Sequence, residues 1–128
     1  MRLLLDTHVF LWSKSNDRRM SDHAWSLLRD PGNELLMSAV SVAEMAIKIR
    51  LGRLTLDVPL KDFVKTGMTT GRILELPLVA SHAARLADLP LHHRDPFDRL
   101  LIATAIEEDL TLLTNDPEIR KYFVQTTW

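Results

Sequence analysis

No cysteine occurs in the 128 residues, which excludes disulfides, thiolate nucleophiles and Cys-based zinc or iron–sulfur sites and leaves nothing to argue for an oxidising compartment. No apolar run approaches the roughly 20 residues that cross a bilayer. The opening Arg2-Leu3-Leu4-Leu5 is cut off at once by Asp6, so it is too short for the apolar stretch of a secretory signal and has no small-residue cleavage site. The expectation is a soluble cytoplasmic protein. Glycine is scarce at 4 residues, and none builds the Gly-rich phosphate loop of an NTPase. An excess of one charge is missing too: 16 basic against 17 acidic residues leave a net charge of −1, so the chain as a whole is no electrostatic nucleic-acid binder. The basic middle section (Lys48, Arg50, Arg53, Lys61, Lys65) is interrupted by Asp57 and Asp62; it could face a phosphate backbone, but reads first as solvated helix faces.

What is present is ordinary globular material, 46% hydrophobic and 26% charged, without repeats or low-complexity tracts. Residues 1–128 are expected to form one domain around one core. The continuous run at 2–5 predicts a short strand buried on both faces. Val9, Phe10 and Trp12 suggest a short helix closed by Ser15-Asn16-Asp17, and Ser21 caps a helix to about Arg29 that Asp30-Pro31-Gly32-Asn33 stops. Strands are expected at 35–38, 73–76, 110–113 and, last, at Tyr122-Phe123-Val124. Helices are expected from Ser41 to Gly52, from Pro59 to about Thr69, from Ala80 to Asp88, and from Asp95-Pro96 to about Asp109, where Asp is the cap and Pro takes its preferred first position. Asp116-Pro117 opens a short helical turn. Strands alternating with helices imply an α/β fold with a mainly parallel sheet covered on both sides.

Four carboxylates stand where apolar runs end or helices begin: Asp6, Glu44, Asp98 and Asp116. Each has a structural explanation. Ser41 and Glu44 fit the capping box, Asp98 sits in a helical first turn whose dipole favours an acid, and Asp116 and Asp6 are good N-caps. Taken singly, each acid reads as a cap before it reads as a catalyst. Jointly they point elsewhere, because ligands of open α/β sheets bind beyond the carboxyl ends of the strands, and all four positions can share that edge. Mg²⁺ and Mn²⁺ prefer a few carboxylates and several waters, and one or two such ions can activate a water against a phosphodiester.

Leu4-Leu5-Asp6-Thr7-His8, Ser38-Ala39-Val40-Ser41-Val42-Ala43-Glu44, His93-Arg94-Asp95-Pro96-Phe97-Asp98-Arg99-Leu100-Leu101-Ile102-Ala103 and Leu112-Leu113-Thr114-Asn115-Asp116 together resemble the PIN-domain family, specifically the VapC-type toxins of toxin–antitoxin pairs. Each motif is short, and their order, spacing and coverage from Leu3 to Trp128 carry the resemblance. It implies a three-layer α/β/α sandwich, Mg²⁺- or Mn²⁺-dependent endoribonuclease activity on an RNA substrate, homodimerisation, and inhibition by a VapB-like antitoxin, with a higher hetero-oligomer of the two open to it. Asp6, Glu44 and Asp98 match the three core acidic ligands, and Asp116 matches a fourth acid of more variable role. Thr7 and Thr114 match hydroxyl positions that orient a carboxylate or a water, and Asp95 belongs to the Asp-Pro-Phe-Asp form of the motif, here mainly as a cap. His8 stands where many relatives have Asn and is expected to make a structural hydrogen bond. His92-His93 is expected in a solvent-exposed loop. The alternative is a PIN-fold module that holds an antitoxin or RNA without turnover. A phosphoaspartate enzyme is disfavoured, since Asp6-Thr7-His8 lacks a second Asp and no late strand ends in a suitable Lys. Trp12, Phe63, Met68 and Trp128 are candidates for an antitoxin groove or for core.

Overall fold

The computed structural model describes residues 1–128. Five strands, β1 (Arg2–Leu5), β2 (Glu34–Ser38), β3 (Ile73–Leu76), β4 (Thr111–Leu113) and β5 (Thr126–Thr127), form one parallel sheet in the order β3-β2-β1-β4-β5. Six helices flank it: α1 (Thr7–Ser15), α2 (Asp22–Arg29), α3 (Ala39–Arg50), α4 (Leu60–Gly71), α5 (Ala80–Ala84) and α6 (Pro96–Glu107), with 3₁₀ turns at Arg85–Asp88 and Ile119–Lys121. No helix is long and apolar enough to cross a membrane.

β1 is the central strand, and its three leucines are fully buried. Alternate residues of a strand point to opposite faces, so Leu3 and Leu5 join Val9, Phe10, Ala24 and Met45 on one side. Leu4 joins Leu101, Ile102, Ala105 and Leu112 on the other. This is why the run lacks alternation: both faces are covered, and a polar residue on either would be stranded without water. Trp12, Phe63, Met68 and Trp128 all pack, partly buried, against the first of these cores, while Trp12 and Phe63 also line surface concavities.

Two expectations shift. The last strand lies at 126–127 rather than 122–124. Tyr122 instead ends a 3₁₀ turn with its hydroxyl receiving the N–H groups of His92 and His93 at 3.1 and 2.8 Å, Phe123 is fully exposed, and β4 pairs further on through Leu112 N–H to Gln125 O. An apolar triplet looks like a strand locally, but the polar anchor on Tyr122 decides its path. Second, α3 starts at Ala39, with Ser38 Oγ accepting from Val40 N at 3.0 Å. Ser41 and Glu44 therefore lie inside the helix, and the capping box expected of them does not form.

The strand order places the site. The chain winds from β1 outward to β3, then crosses back to β4 on the opposite side of β1. The point where winding reverses lies between β1 and β4, and a crevice opens there at their carboxyl ends. Asp6 follows β1 and Thr114 follows β4 at that point, tied by Asp6 N–H to Leu113 O at 3.1 Å.

Candidate metal centre

Asp6 caps α1, accepting from His8 N at 3.4 Å. Its other oxygen accepts from the Thr114 hydroxyl at 2.7 Å across the β1–β4 boundary. Burial pushes the Asp6 carboxyl up from the usual carboxylate range, against the lowering effect of the Thr114 hydrogen bond and of His8. The His8 ring makes no hydrogen bond of the kind expected for it. It stands half-exposed, with Nδ1 4.0 Å from Asp6 and its ring 5.6 Å from that of Trp12.

Glu44 reaches the site from the second turn of α3 and is buried. Thr7 Oγ1 lies 2.9 Å from both Glu44 Oε1 and Ser41 Oγ; an ionised carboxylate only accepts, so the Thr7 proton goes to Glu44. Lys48, one turn on, closes on Glu44 Oε2 at 2.5 Å. One of the basic residues read as a solvated face is thus a partner of the acid cluster. Glu at i and Lys at i+4 is a spacing legible in any helix, and it was the available signal.

Asp95 caps α6 as expected, its Oδ1 accepting from Phe97 N and Asp98 N at 2.8 and 3.3 Å. Asp98 then points inward from the first turn and is buried. Its carboxyl is pushed up to about 8, first by burial and then by the negative charges of Asp6, Asp95, Glu44 and Asp116. Asp116 is more open, with its side chain 30% exposed; its N–H donates to Thr114 Oγ1 at 3.1 Å and its Oδ1 accepts from Glu118 N at 2.8 Å. The turn-forming role expected of it holds, although the 3₁₀ turn starts only at Ile119.

His93 corrects the expectation of an exposed pair. His92 is exposed, but the His93 Nε2 lies 2.9 Å from Asp98 Oδ2 and 3.3 Å from Asp116 Oδ2, and its Nδ1 accepts from Asp95 N at 3.1 Å. With Nδ1 accepting, the hydrogen-bond network assigns the proton of the neutral ring to Nε2, which donates to the two acids. The segment before the α6 cap folds back over the helix start, held there by Tyr122. Sequence reading missed it because the hold comes from a side chain 29 residues away.

The fold brings the four acids singled out by sequence near enough for Asp6, Glu44 and Asp116 all to act on the charge of Asp98, with Thr7 and Thr114 in orienting contact and Asp95 in a capping role; Asp6 and Glu44 stand outside the tightest group. His93, Asp98 and Asp116 offer ligand atoms within 4.8 Å of one another. Carboxylates packed this way repel until a cation or protons relieve them, and that repulsion adds to burial, the larger cause, in raising Asp98. The donor set, rich in carboxylate oxygen, fits a hard divalent cation.

Comparison with known proteins agrees with this geometry. The PIN domain family model matches residues 3–123. The chain is 31% identical over 121 residues to Ribonuclease VapC22 of Mycobacterium tuberculosis, covering 94% of this chain and 91% of that protein. Among solved structures, VapBC2 from Rickettsia felis bound to a DNA fragment from its promoter superposes with a TM-score of 0.74 at 16% identity, covering 100% of this chain and 99% of that one. A toxin–antitoxin complex from Klebsiella pneumoniae gives 0.64 at 19% identity, over 98% and 96% of the two chains. A five-stranded parallel sheet with helices on both sides, an acid cluster at its winding reversal and a family match over nearly the whole length lead to one conclusion: the chain belongs to the PIN-domain family and is of the VapC type.

Proposed function

We propose that this chain, as a single PIN domain, is a metal-dependent endoribonuclease toxin acting in the cytoplasm. In this reading Asp6, Glu44 and Asp98 hold Mg²⁺ or Mn²⁺, and Asp116 assists. The observation that carries it is the approach of four acids from four separate stretches of sequence near the reversal point between β1 and β4, with Asp98 raised to about 8 by burial and then by the others. Capping explains Asp95 and part of Asp6; it does not explain why Glu44 and Asp98 turn inward to share one space.

A divalent ion bound there supplies Lewis acidity toward a phosphodiester and toward the attacking water. The protein's part is to present ionised oxygens in a fixed arrangement. Thr114 orients Asp6, Thr7 and Lys48 hold the two oxygens of Glu44, and His93 ties Asp98 to Asp116. Such outer contacts orient ligands and tune the affinity of a site. The N-terminus of α6, whose first turn carries Asp98, adds favourable potential for a phosphate. The named relative is a ribonuclease and the structural neighbours are toxin–antitoxin complexes, which supports RNA as substrate and a VapB-like antitoxin as partner; this reading also takes the toxin to be a homodimer.

The test is direct. Purified antitoxin-free protein cleaves single-stranded RNA with Mg²⁺ or Mn²⁺, stops on addition of EDTA, and loses activity as Asp6→Asn or Asp98→Asn while remaining folded by circular dichroism. Full activity in either variant, or RNA bound but uncleaved across both metals, sinks the reading.

A further inference from the structure

Beside the acids lies a second feature that cleavage chemistry alone does not require. A concavity of about 260 Å³ is lined by Asp6, Asn115, Asp116 and Pro117 and by His8, Trp12 and Arg19. Arg19 is mostly in solvent, with its side chain 65% exposed, yet it is firmly held. Its N and Nε donate to Asp17 Oδ1 at 2.9 and 3.0 Å and its Nη2 donates to Asp17 Oδ2 at 2.7 Å, while the guanidinium carbon stands 4.6 Å from the Trp12 ring centre. Trp12 is braced in turn by Trp128, edge to face at 6.0 Å, and by the tilted His8 ring. A long surface side chain is normally free to sample rotamers, and fixing one costs entropy. Here the guanidinium is a preset flat surface.

We propose that Trp12 and Arg19 form a stacking platform for an unpaired nucleobase of the RNA, next to the phosphodiester to be cut; the identity of the ligand as RNA rests on the nuclease reading above. Charge favours a base over a phosphate as the occupant. Asp17 already neutralises Arg19 through two paired hydrogen bonds, which leaves the guanidinium little charge to offer a phosphate. What the platform offers is a planar, polarisable face and the remaining Nη1 edge, and unpaired bases stack on aromatic rings and guanidinium planes. The volume suits one ring system, lying below the roughly 300–1,000 Å³ of pockets that hold larger ligands. Bases of a duplex are already stacked on one another, so the platform selects single-stranded RNA.

The experiment measures binding apart from cleavage. In the Asp98→Asn background, fluorescence anisotropy follows a labelled single-stranded hexaribonucleotide and the same oligomer made abasic at every position. Adding Arg19→Lys, which keeps the charge and loses the plane, is expected to weaken binding of the intact oligomer about fivefold or more and to leave the abasic one unchanged; Trp12→Leu is expected to do the same. Trp12 is partly buried, so if its variant fails to fold the exposed Arg19 carries the test. Unchanged binding of the intact oligomer in Arg19→Lys, an equal loss on the abasic one, or no binding by any form overturns the platform. If the unmodified protein cuts no RNA while binding stays sensitive to Arg19→Lys, the nuclease reading falls and the platform stands. Cleavage by the unmodified protein together with insensitive binding removes the platform alone.

Discussion

The two halves of the acid cluster are built differently. Asp6 and Glu44, from the central strand end and from within α3, are buried and held by hydroxyls and a lysine: Thr114 on one, Thr7 and Lys48 on the other. Asp98 and Asp116, from the start of α6 and the loop after β4, share one imidazole; beyond it Asp116 accepts only from the Glu118 N–H, and Asp98 from no further donor. The first half is arranged in advance, because donors of the right charge and hydrogen count are already in place. The second has fewer donors to offset its charge, so Asp98, raised to about 8 by burial and then by its neighbours, is strained in a way a cation would relieve; Asp6 in the first half is raised by burial as well, but against the lowering hydrogen bond of Thr114. One half supplies a fixed frame, and the other has fewer donors on its acids.

The largest effect is expected at the strained half. Asp98→Asn should lower RNA cleavage about a hundredfold or more and at the same time stabilise the metal-free protein. The sign follows from its shift. The folded-state value near 8 lies above the ordinary 3.8, so the folded state holds a proton that the unfolded chain has released between about pH 4 and 8, and stability falls as pH rises through that window. Removing the charge should raise the metal-free stability at pH 8 by about 2–4 kcal/mol, read by urea unfolding. A lower stability in Asp98→Asn than in the parent would show that the two halves are not distinguished by repulsion.

Metal affinity should carry the same signature. Binding requires Asp98 to be ionised, so the apparent Kd for Mn²⁺, measured by calorimetry, should fall about tenfold per pH unit up to pH ~8 and then level. A flat profile from pH 6 to 8 would remove Asp98 from the ligand set.

The preset half should respond to loss of its frame. Thr114→Val strips Asp6 of a 2.7 Å hydrogen bond at nearly constant volume, and is expected to weaken Mn²⁺ binding about 10–100-fold with the fold intact. His93→Gln keeps a donor in place of Nε2 and should cost less, about tenfold at most, whereas His93→Ala should approach the Thr114→Val effect. The smallest change in Mn²⁺ affinity is expected of Lys48→Met, because Thr7 still holds the other oxygen of Glu44; the stability of the metal-free protein should fall by about 1–3 kcal/mol, since the buried Glu44 carboxylate loses its cation. A Lys48→Met effect larger than that of Thr114→Val would reverse the assignment of which contacts form the frame.

Local signals in the sequence reached far. The unbroken run Leu3-Leu4-Leu5 announced a strand covered on both faces; Ser21, Asp6 and Asp95 announced helix starts that the structure reproduces with side-chain caps. These are short-range matters, settled by periodicity and by hydrogen bonds between residues a turn apart. Where a competing local pattern existed, reading went astray: Ser41-x-x-Glu44 looked like a cap, but Ser38 takes the cap and Glu44 turns inward. Tyr122-Phe123-Val124 looked like a strand, but a hydroxyl anchored to the His92-His93 backbone held Tyr122 elsewhere.

The amino-acid sequence by itself determined a parallel α/β architecture, the places where acids occur and the order in which they follow the strands, because burial period and capping are encoded within a few residues. Only the tertiary structure decided that the acids meet. Asp6 and Thr114 touch across 108 positions because the chain crosses back to pair β4 with β1, His93 bends onto Asp98 and Asp116 because Tyr122 holds its backbone, and only the folded chain sets Arg19, in the turn after α1, against Trp12 beside the acids.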